Sequence, residues 1–181
     1  MEKNSNWEFP KNNMDIKKIK IEDAEKMLKF FHELVVADTE RVERTQDVDN
    51  ITLEMEENWI LGRIKKEDEE KEMVVRIIED GGKIVAEGEV EKLSRWIERH
   101  VAEIRFGMLP GNEKQTLEMV NELCLKAKKI GIEVLQYFHL ETQKAGIEIM
   151  KKAGFSEFGR AEKYYKRGNE YIDRIYMQKI L

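Results

Sequence analysis

The amino-acid sequence predicts an α/β fold: a mixed, mostly antiparallel central sheet of about seven strands with helices on both faces. Three observations lead there. Strand-length apolar runs and helical three-to-four spacings follow one another in the order β-α-α-β-β-β-α-β-α-β-β. Asp80-Gly81 between two apolar runs is a hairpin signal, so part of the sheet is an antiparallel meander. The run 132–140 is too apolar for an edge strand and lies between two helical segments, as an interior strand reached by crossovers does.

Residues 1–13 are polar, contain one proline and have no periodicity, so a tail is expected there and a single domain over 14–181. A short strand is expected at 15–20. Glu22-Asp23 then opens a helix whose Ala24, Met27, Leu28, Phe31, Leu34 and Val35 form one stripe. Residues 38–50 are charged, without a sustained stripe, and predict a loop or frayed helix. Thr52, as a capping residue, begins a second helix through Trp59, Ile60 and Ile64. The charge run 65–72 reads as a solvated turn. Strands at 73–78 and 83–90 flank the Asp-Gly turn, and a third at 100–108 stops at Leu109-Pro110-Gly111-Asn112. An amphipathic helix follows from Glu113, with Leu117, Val120, Leu123 and Ala127 on one face and Gly131 as its stop. After the strand at 132–140 come a short helix at 142–153 and two strands, 155–166 and 170–180, joined through Arg167-Gly168-Asn169.

Composition narrows the function classes. Thirty-seven acids against 32 bases give a net charge of −5, which offers no global attraction to nucleic acid or an anionic membrane. No apolar stretch reaches the roughly 18 residues that span a bilayer, so a cytoplasmic protein with no membrane partner is expected. Cys124 is the only cysteine, and His32, His100 and His139 lie far apart, so no metal site is expected. His139, ending an apolar strand, reads as a structural histidine.

Several short motifs stand in register in the second half. Ala102-Glu103-Ile104 leads through Met108-Leu109-Pro110 into the amphipathic helix. Gln143, Gly146, Met150, Lys152, Gly154 and Phe155 follow the next strand. Gly168, Tyr171, Asp173 and Met177 close the chain. In this order and spacing they resemble the GNAT N-acetyltransferase superfamily, from Met14 to the end, with motif-grade signal confined to 100–181. The resemblance implies acetyl-CoA as acyl donor and a primary amine, on a small molecule or on a protein or peptide, as acceptor. It implies direct attack in a ternary complex, with Glu103 taking the amine proton. The donor would be bound by Phe106, Met108, Lys114, Gln115, Thr116, Leu117, Gln143 and Met150. The family's proton-donating tyrosine falls at Met150, which cannot donate, leaving that role to Tyr137, Tyr164, Tyr165 or water. A homodimer through the last strands remains open.

One stretch departs from the family pattern. Where the family's loop carries glycines that admit pyrophosphate to backbone N–H groups, this chain reads Glu113-Lys114-Gln115-Thr116-Leu117-Glu118, with no glycine. Two readings follow. In one, Lys114, Gln115 and Thr116 donate to phosphate and the glutamates point away. In the other, Glu113 caps the helix, the anion site is closed, and the protein is a ligand-binding or interaction module that has lost transfer. Asp38, Glu40, Glu43, Asp47 and Asp49, in the region expected to shape the acceptor site, suit either a cation or a solvated loop.

Overall fold

The hairpin expected at Asp80-Gly81 is present. Strands β2 (Met73–Asp80) and β3 (Lys83–Lys92) pair antiparallel across Gly81 and Gly82, whose φ angles are 56° and 84°. Two successive left-handed residues give the turn the twist its strands need, and glycine adopts them without strain. The structure is a computed structural model describing residues 15–181, so the expected tail at 1–13 lies outside the described residues.

Strands β1 (Asp15–Lys17), β4 (Val101–Met108), β5 (Val134–Leu140), β6 (Ser156–Arg167) and β7 (Glu170–Ile180) complete a seven-stranded sheet in the order β1-β2-β3-β4-β5-β7-β6. Every neighbouring pair is antiparallel except β4 and β5, which the chain joins through a crossover helix. This is the expected mixed sheet, with the apolar run before Leu140 at an interior position.

Helices α1 (Ala24–Ala37) and α3 (Leu53–Lys65) cover one face, burying Met27, Phe30, Leu34 and Ile60 against Val75, Ile77 and Ile84. Helices α4 (Glu113–Lys129) and α5 (Lys144–Lys152) cover the other, with Met119, Leu123, Ala127, Ile149 and Met150 against Val74, Ile104 and Leu135. The expected cap at Thr52 is made: its side-chain oxygen accepts the Met55 N–H at 3.2 Å. The loop expected at 38–50 contains one helical turn, α2 (Thr45–Val48).

Two local expectations are corrected. β1 ends at Lys17 instead of residue 20, because Ile19 turns into the core. The charge run expected as a solvated turn continues α3 as one wide helical turn, Lys66–Glu70. Within it Glu67 is bound from two sides, by Arg76 Nη1 at 2.8 Å and by the Val75 N–H at 3.1 Å. No helix among the described residues is long and apolar enough to cross a membrane.

Candidate active site

β4 and β5 pair over only three residues, Val101–Glu103 with Val134–Gln136, and beyond Glu103 and Gln136 the ladder stops. The parallel pair therefore forms a fork in mid-sheet. The alternation of backbone groups shows which of them face its opening. Leu109 donates its N–H to Val85 on β3, whereas His100 accepts the Val134 N–H on the β5 side. Odd residues of β4 thus bond to β3, and the N–H and C=O groups of Phe106 and Met108 face the opening. On β5 the N–H of Leu140 faces the same way and is held by Gln143 Oε1 at 3.0 Å.

The rings of Phe106 and Tyr137 stack across the fork at 5.6 Å, 15° from parallel. Two cavities meet there, both lined by Arg41, Phe106, Tyr137 and Gln143. One, of about 230 Å³, opens toward the first turns of α4 and α5 and includes Met108, Glu113 and Lys144. The other, of about 270 Å³, lies between the loop after α1 and β6, beside Arg105, Phe138 and Tyr165, and the end of α1 and the start of that loop (Ala37, Asp38 and Glu40) line the first cavity. Gly107 makes this close packing feasible: a Cβ there would stand 2.6 Å from Leu34 and 3.3 Å from Arg41.

The first turn of α4 lies at the rim of the first cavity. Its leading N–H groups have no intrahelical partner, as at any helix start, and they carry the positive end of the dipole. Glu113 bends back over the loop and accepts the Gly111 N–H at 3.2 Å. Thr116 is fully buried, and its N–H and hydroxyl both donate to the Asn112 carbonyl, at 2.9 and 2.8 Å. These bonds hold the start of the helix, and Thr116, expected to donate to phosphate, lines neither cavity. Lys114 is exposed, Gln115 half-buried, and Leu117 packs against the core.

Glu103 is the last paired residue before the fork. Its side chain, about a quarter exposed, accepts a hydrogen bond from Arg105 Nε at 2.5 Å. Glu103 lines neither cavity; Arg105 lines the second. Met150, expected against the donor, is fully buried on the core-facing side of α5 and lines neither cavity. The structure thus gathers Phe106, Met108 and Gln143 at the fork, with Glu103 at its root. It leaves Lys114, Gln115, Thr116, Leu117 and Met150 off the cavity walls.

The sequence reading missed Arg41 and a buried acidic group beside it. Glu87 on β3 lies directly opposite Gly107, and Glu89 opposite Arg105. Glu87 and Glu56 of α3 are buried, and each has a carboxyl oxygen with no partner among the described residues. Burial raises the Glu56 carboxyl to about 7 against the pull of Arg63. Burial, reinforced by the Glu89 charge, also raises Glu87. Burial holds Tyr137 in its phenol form. It also lowers His139, whose Nδ1 bonds the Leu140 carbonyl at 2.7 Å, and this neutral ring is consistent with a structural histidine. Strand periodicity alone would have marked Glu87 and Glu89 as solvent-facing; a helix on each face buries both.

A sheet forked between its only parallel strands, with a helix start at one mouth, defines the acyl-CoA N-acyltransferase class of fold. Residues 16–176 match the family described as the acetyltransferase (GNAT) domain, and the chain belongs to that family. Among solved structures it is similar to an acetyltransferase of the GNAT family from Streptococcus pneumoniae. That match has a TM-score of 0.83 at 17% identity, over 93% of this chain and 99% of that one. It is similar also to a putative acetyltransferase from Salmonella typhimurium, solved with its cofactor acetyl-CoA (TM-score 0.78, 14% identity, 93% and 94% covered). A phosphinothricin acetyltransferase from Sinorhizobium meliloti, in complex with acetyl-CoA, matches with a TM-score of 0.75 at 14% identity, over 93% and 88%. Among curated proteins none matches.

Proposed function

We propose that the protein transfers the acetyl group of acetyl-CoA to a primary amine within the β4–β5 fork, by direct attack in a ternary complex. The observation that carries this reading is the pair of cavities meeting at Phe106 and Tyr137. A donor in one cavity and an acceptor in the other would meet at these shared walls, which is the proximity that a two-substrate transfer needs.

Acetyl-CoA would supply the activated acyl group as a thioester. The chain's part is to hold and to move protons. Phe106 and Met108 present strand-edge groups suited to the amides of the pantetheine arm, and Met108 lines the donor cavity. As the new N–C bond forms and the C–S bond breaks, the amine proton passes through water to the Glu103 carboxylate. The departing thiolate takes a proton from the Tyr137 hydroxyl, which would lie about 3.1 Å from a Cβ built on Gly146 at the start of α5. Tyr137 thus fills the role that Met150 cannot.

Thermal denaturation with coenzyme A and acetyl-CoA at roughly millimolar concentration is the first test, since a ligand that binds only the folded state raises the midpoint. Both are expected to raise it. Glu103→Gln is expected to lower turnover about 100-fold at neutral pH with coenzyme A affinity nearly unchanged. Tyr137→Phe is expected to lower it by at least about tenfold, with the loss removed for a donor whose leaving thiol is more acidic. The contact from Glu113 to Gly111 favours the second reading, a fold retained for binding without transfer. Absence of any midpoint shift with either ligand would select that reading.

A further inference from the structure

A third cavity, of about 220 Å³, lies between α5 and the strands β6 and β7. It touches the first cavity only at Lys144 and the second only at His139. We infer that it is a separate binding site for a small neutral ligand with an apolar body and a hydroxyl group, a phenol or an alcohol, whose hydroxyl donates to Nε2 of His139.

Local periodicity builds the walls. Lys144, Ile147, Glu148 and Lys151 fall at three-to-four spacing on one stripe of α5, away from Ile149 and Met150, which face the core. Across from that stripe, Glu157 and Arg160 of β6 stand opposite Met177 and Ile175 of β7. The cavity therefore has a charged rim and an apolar floor of buried Ile175 and Met177.

His139 is the polar group of that floor. The alternation that turns Leu135 and Tyr137 of β5 toward the α4 and α5 side turns His139 the same way, and the charges acting on its ring are Glu157, Lys144 and Arg160 of the rim. A carbonyl oxygen can only accept, so Nδ1, 2.7 Å from the Leu140 carbonyl, carries the proton of the neutral ring. Nε2 is then a bare acceptor, and it is buried with no partner among the described residues. Leaving a buried acceptor unbonded costs more than an ordinary hydrogen bond contributes, and a ligand that brings a donor relieves that cost.

The rim favours a neutral ligand. Its three cations, Lys144, Lys151 and Arg160, are matched by three carboxylates, Glu141, Glu148 and Glu157. Arg160 holds Glu141 at 3.1 Å and lies 3.9 Å from Glu157, and Lys151 lies 3.4 Å from Glu148. A charged ligand gains little from such solvent-exposed, already paired groups and loses its own hydration over the floor. Size fits a ring: an apolar cavity of about 150 Å³ holds benzene, so this one admits a ring with a substituent. The His139 ring is 5.5 Å from that of Tyr137, so an occupant is one side chain removed from the fork.

Calorimetric titration of the full chain with phenol, with anisole, which keeps the ring but has no donor, and with toluene tests the assignment. Phenol is expected to bind at least about tenfold more tightly than either. By nitrogen NMR, the Nε2 resonance of His139 should move with phenol and stay in place with anisole. Ile147→Trp fills the cavity from the outer stripe of α5 while leaving His139 in place, and it should abolish phenol binding. His139→Phe should bring phenol down to the level of anisole; if that variant does not melt cooperatively, the resonance and Ile147→Trp decide. Equal binding of phenol and anisole overturns the inference, as does phenol binding that survives in Ile147→Trp. Absence of binding by all three at roughly 10 mM overturns it too and leaves the cavity to solvent. These measurements use no acyl donor, so the site stands or falls apart from the acetyl-transfer reading.

Discussion

The two faces of the sheet solve burial in different ways. Beneath α4 and α5 the buried set is largely apolar, and its buried charge, Arg76, is paired with Glu67 and Glu122 at 2.8 and 3.0 Å. Beneath α1 and α3, Glu56 and Glu87 each keep a carboxyl oxygen without a partner, and Arg63 is joined to Glu89 at 3.0 Å. A buried carboxyl without a partner is costly when ionised, so these two hold their protons instead. The apolar face acts as a platform for α4 and α5. The polar face adjoins the fork through Arg41, which lines both cavities, and Gly107, which lines the first, and its stability is tied to its protons. The two faces therefore respond to different perturbations.

The largest difference is expected from truncating each face. Leu123→Ala removes a fully buried side chain from the apolar face. It should cost about 2–5 kcal/mol at any pH, read by denaturant unfolding. On the other face the sensitivity is to pH. Glu56 has its carboxyl raised from 4.5 to about 7, so the folded chain keeps a proton that the unfolded chain has released. Folding then takes up a proton, and stability declines as pH climbs from about 4.5 toward about 7, levelling above that. Glu87, shifted the same way, adds to the decline. Glu56→Gln should flatten the melting profile over this window and stabilise the protein at pH 8 by on the order of 1 kcal/mol. A profile as steep as the parent's would place the proton on another group.

Much of the fold was legible because its signals are local. The Asp80-Gly81 turn, the Thr52 cap and the Gly131 stop each act within a few residues, and each is where the sequence puts it. Phe106, Met108 and Gln143 were reached through motif resemblance, and all three line the first cavity. What escaped depends on partners distant in sequence. The fork exists because β5 leaves β4 after Gln136, which no residue of either strand announces. Tyr137 was one of several residues named for the proton-donor role, and its place in the walls of both cavities singles it out from Tyr164. Glu87 and Glu89 alternate with smaller and apolar residues as a solvent-facing strand would, and only the packing of α1 and α3 buries them. A glutamate pair in a strand already predicted to have helices on both faces was the available clue. Thr116 and Met150 show the opposite case: motif position marked them for the donor, whereas helix periodicity turns both inward, and both are fully buried.

The smallest effect tests where the platform meets the donor. Glu113 favours the start of α4 by complementing its dipole, yet it accepts the Gly111 N–H and puts a negative charge in the wall of the cavity proposed for the donor. Glu113→Gln keeps the side chain's length and its acceptor oxygen while removing the charge. Helix stability should fall by about 0.3–1 kcal/mol, the usual worth of an acid at an exposed helix start. Coenzyme A affinity should change the other way, tightening by about 1 kcal/mol or less, because a negative charge no longer faces the pyrophosphate. Calorimetric titration gives the second quantity and thermal melting the first, and the opposite signs are the diagnostic. The expected affinity gain should also shrink in high salt, as a screened charge effect does. Weaker binding in Glu113→Gln would mean that the carboxylate already serves the bound donor, for instance by holding the Gly111 turn in the shape the phosphates require.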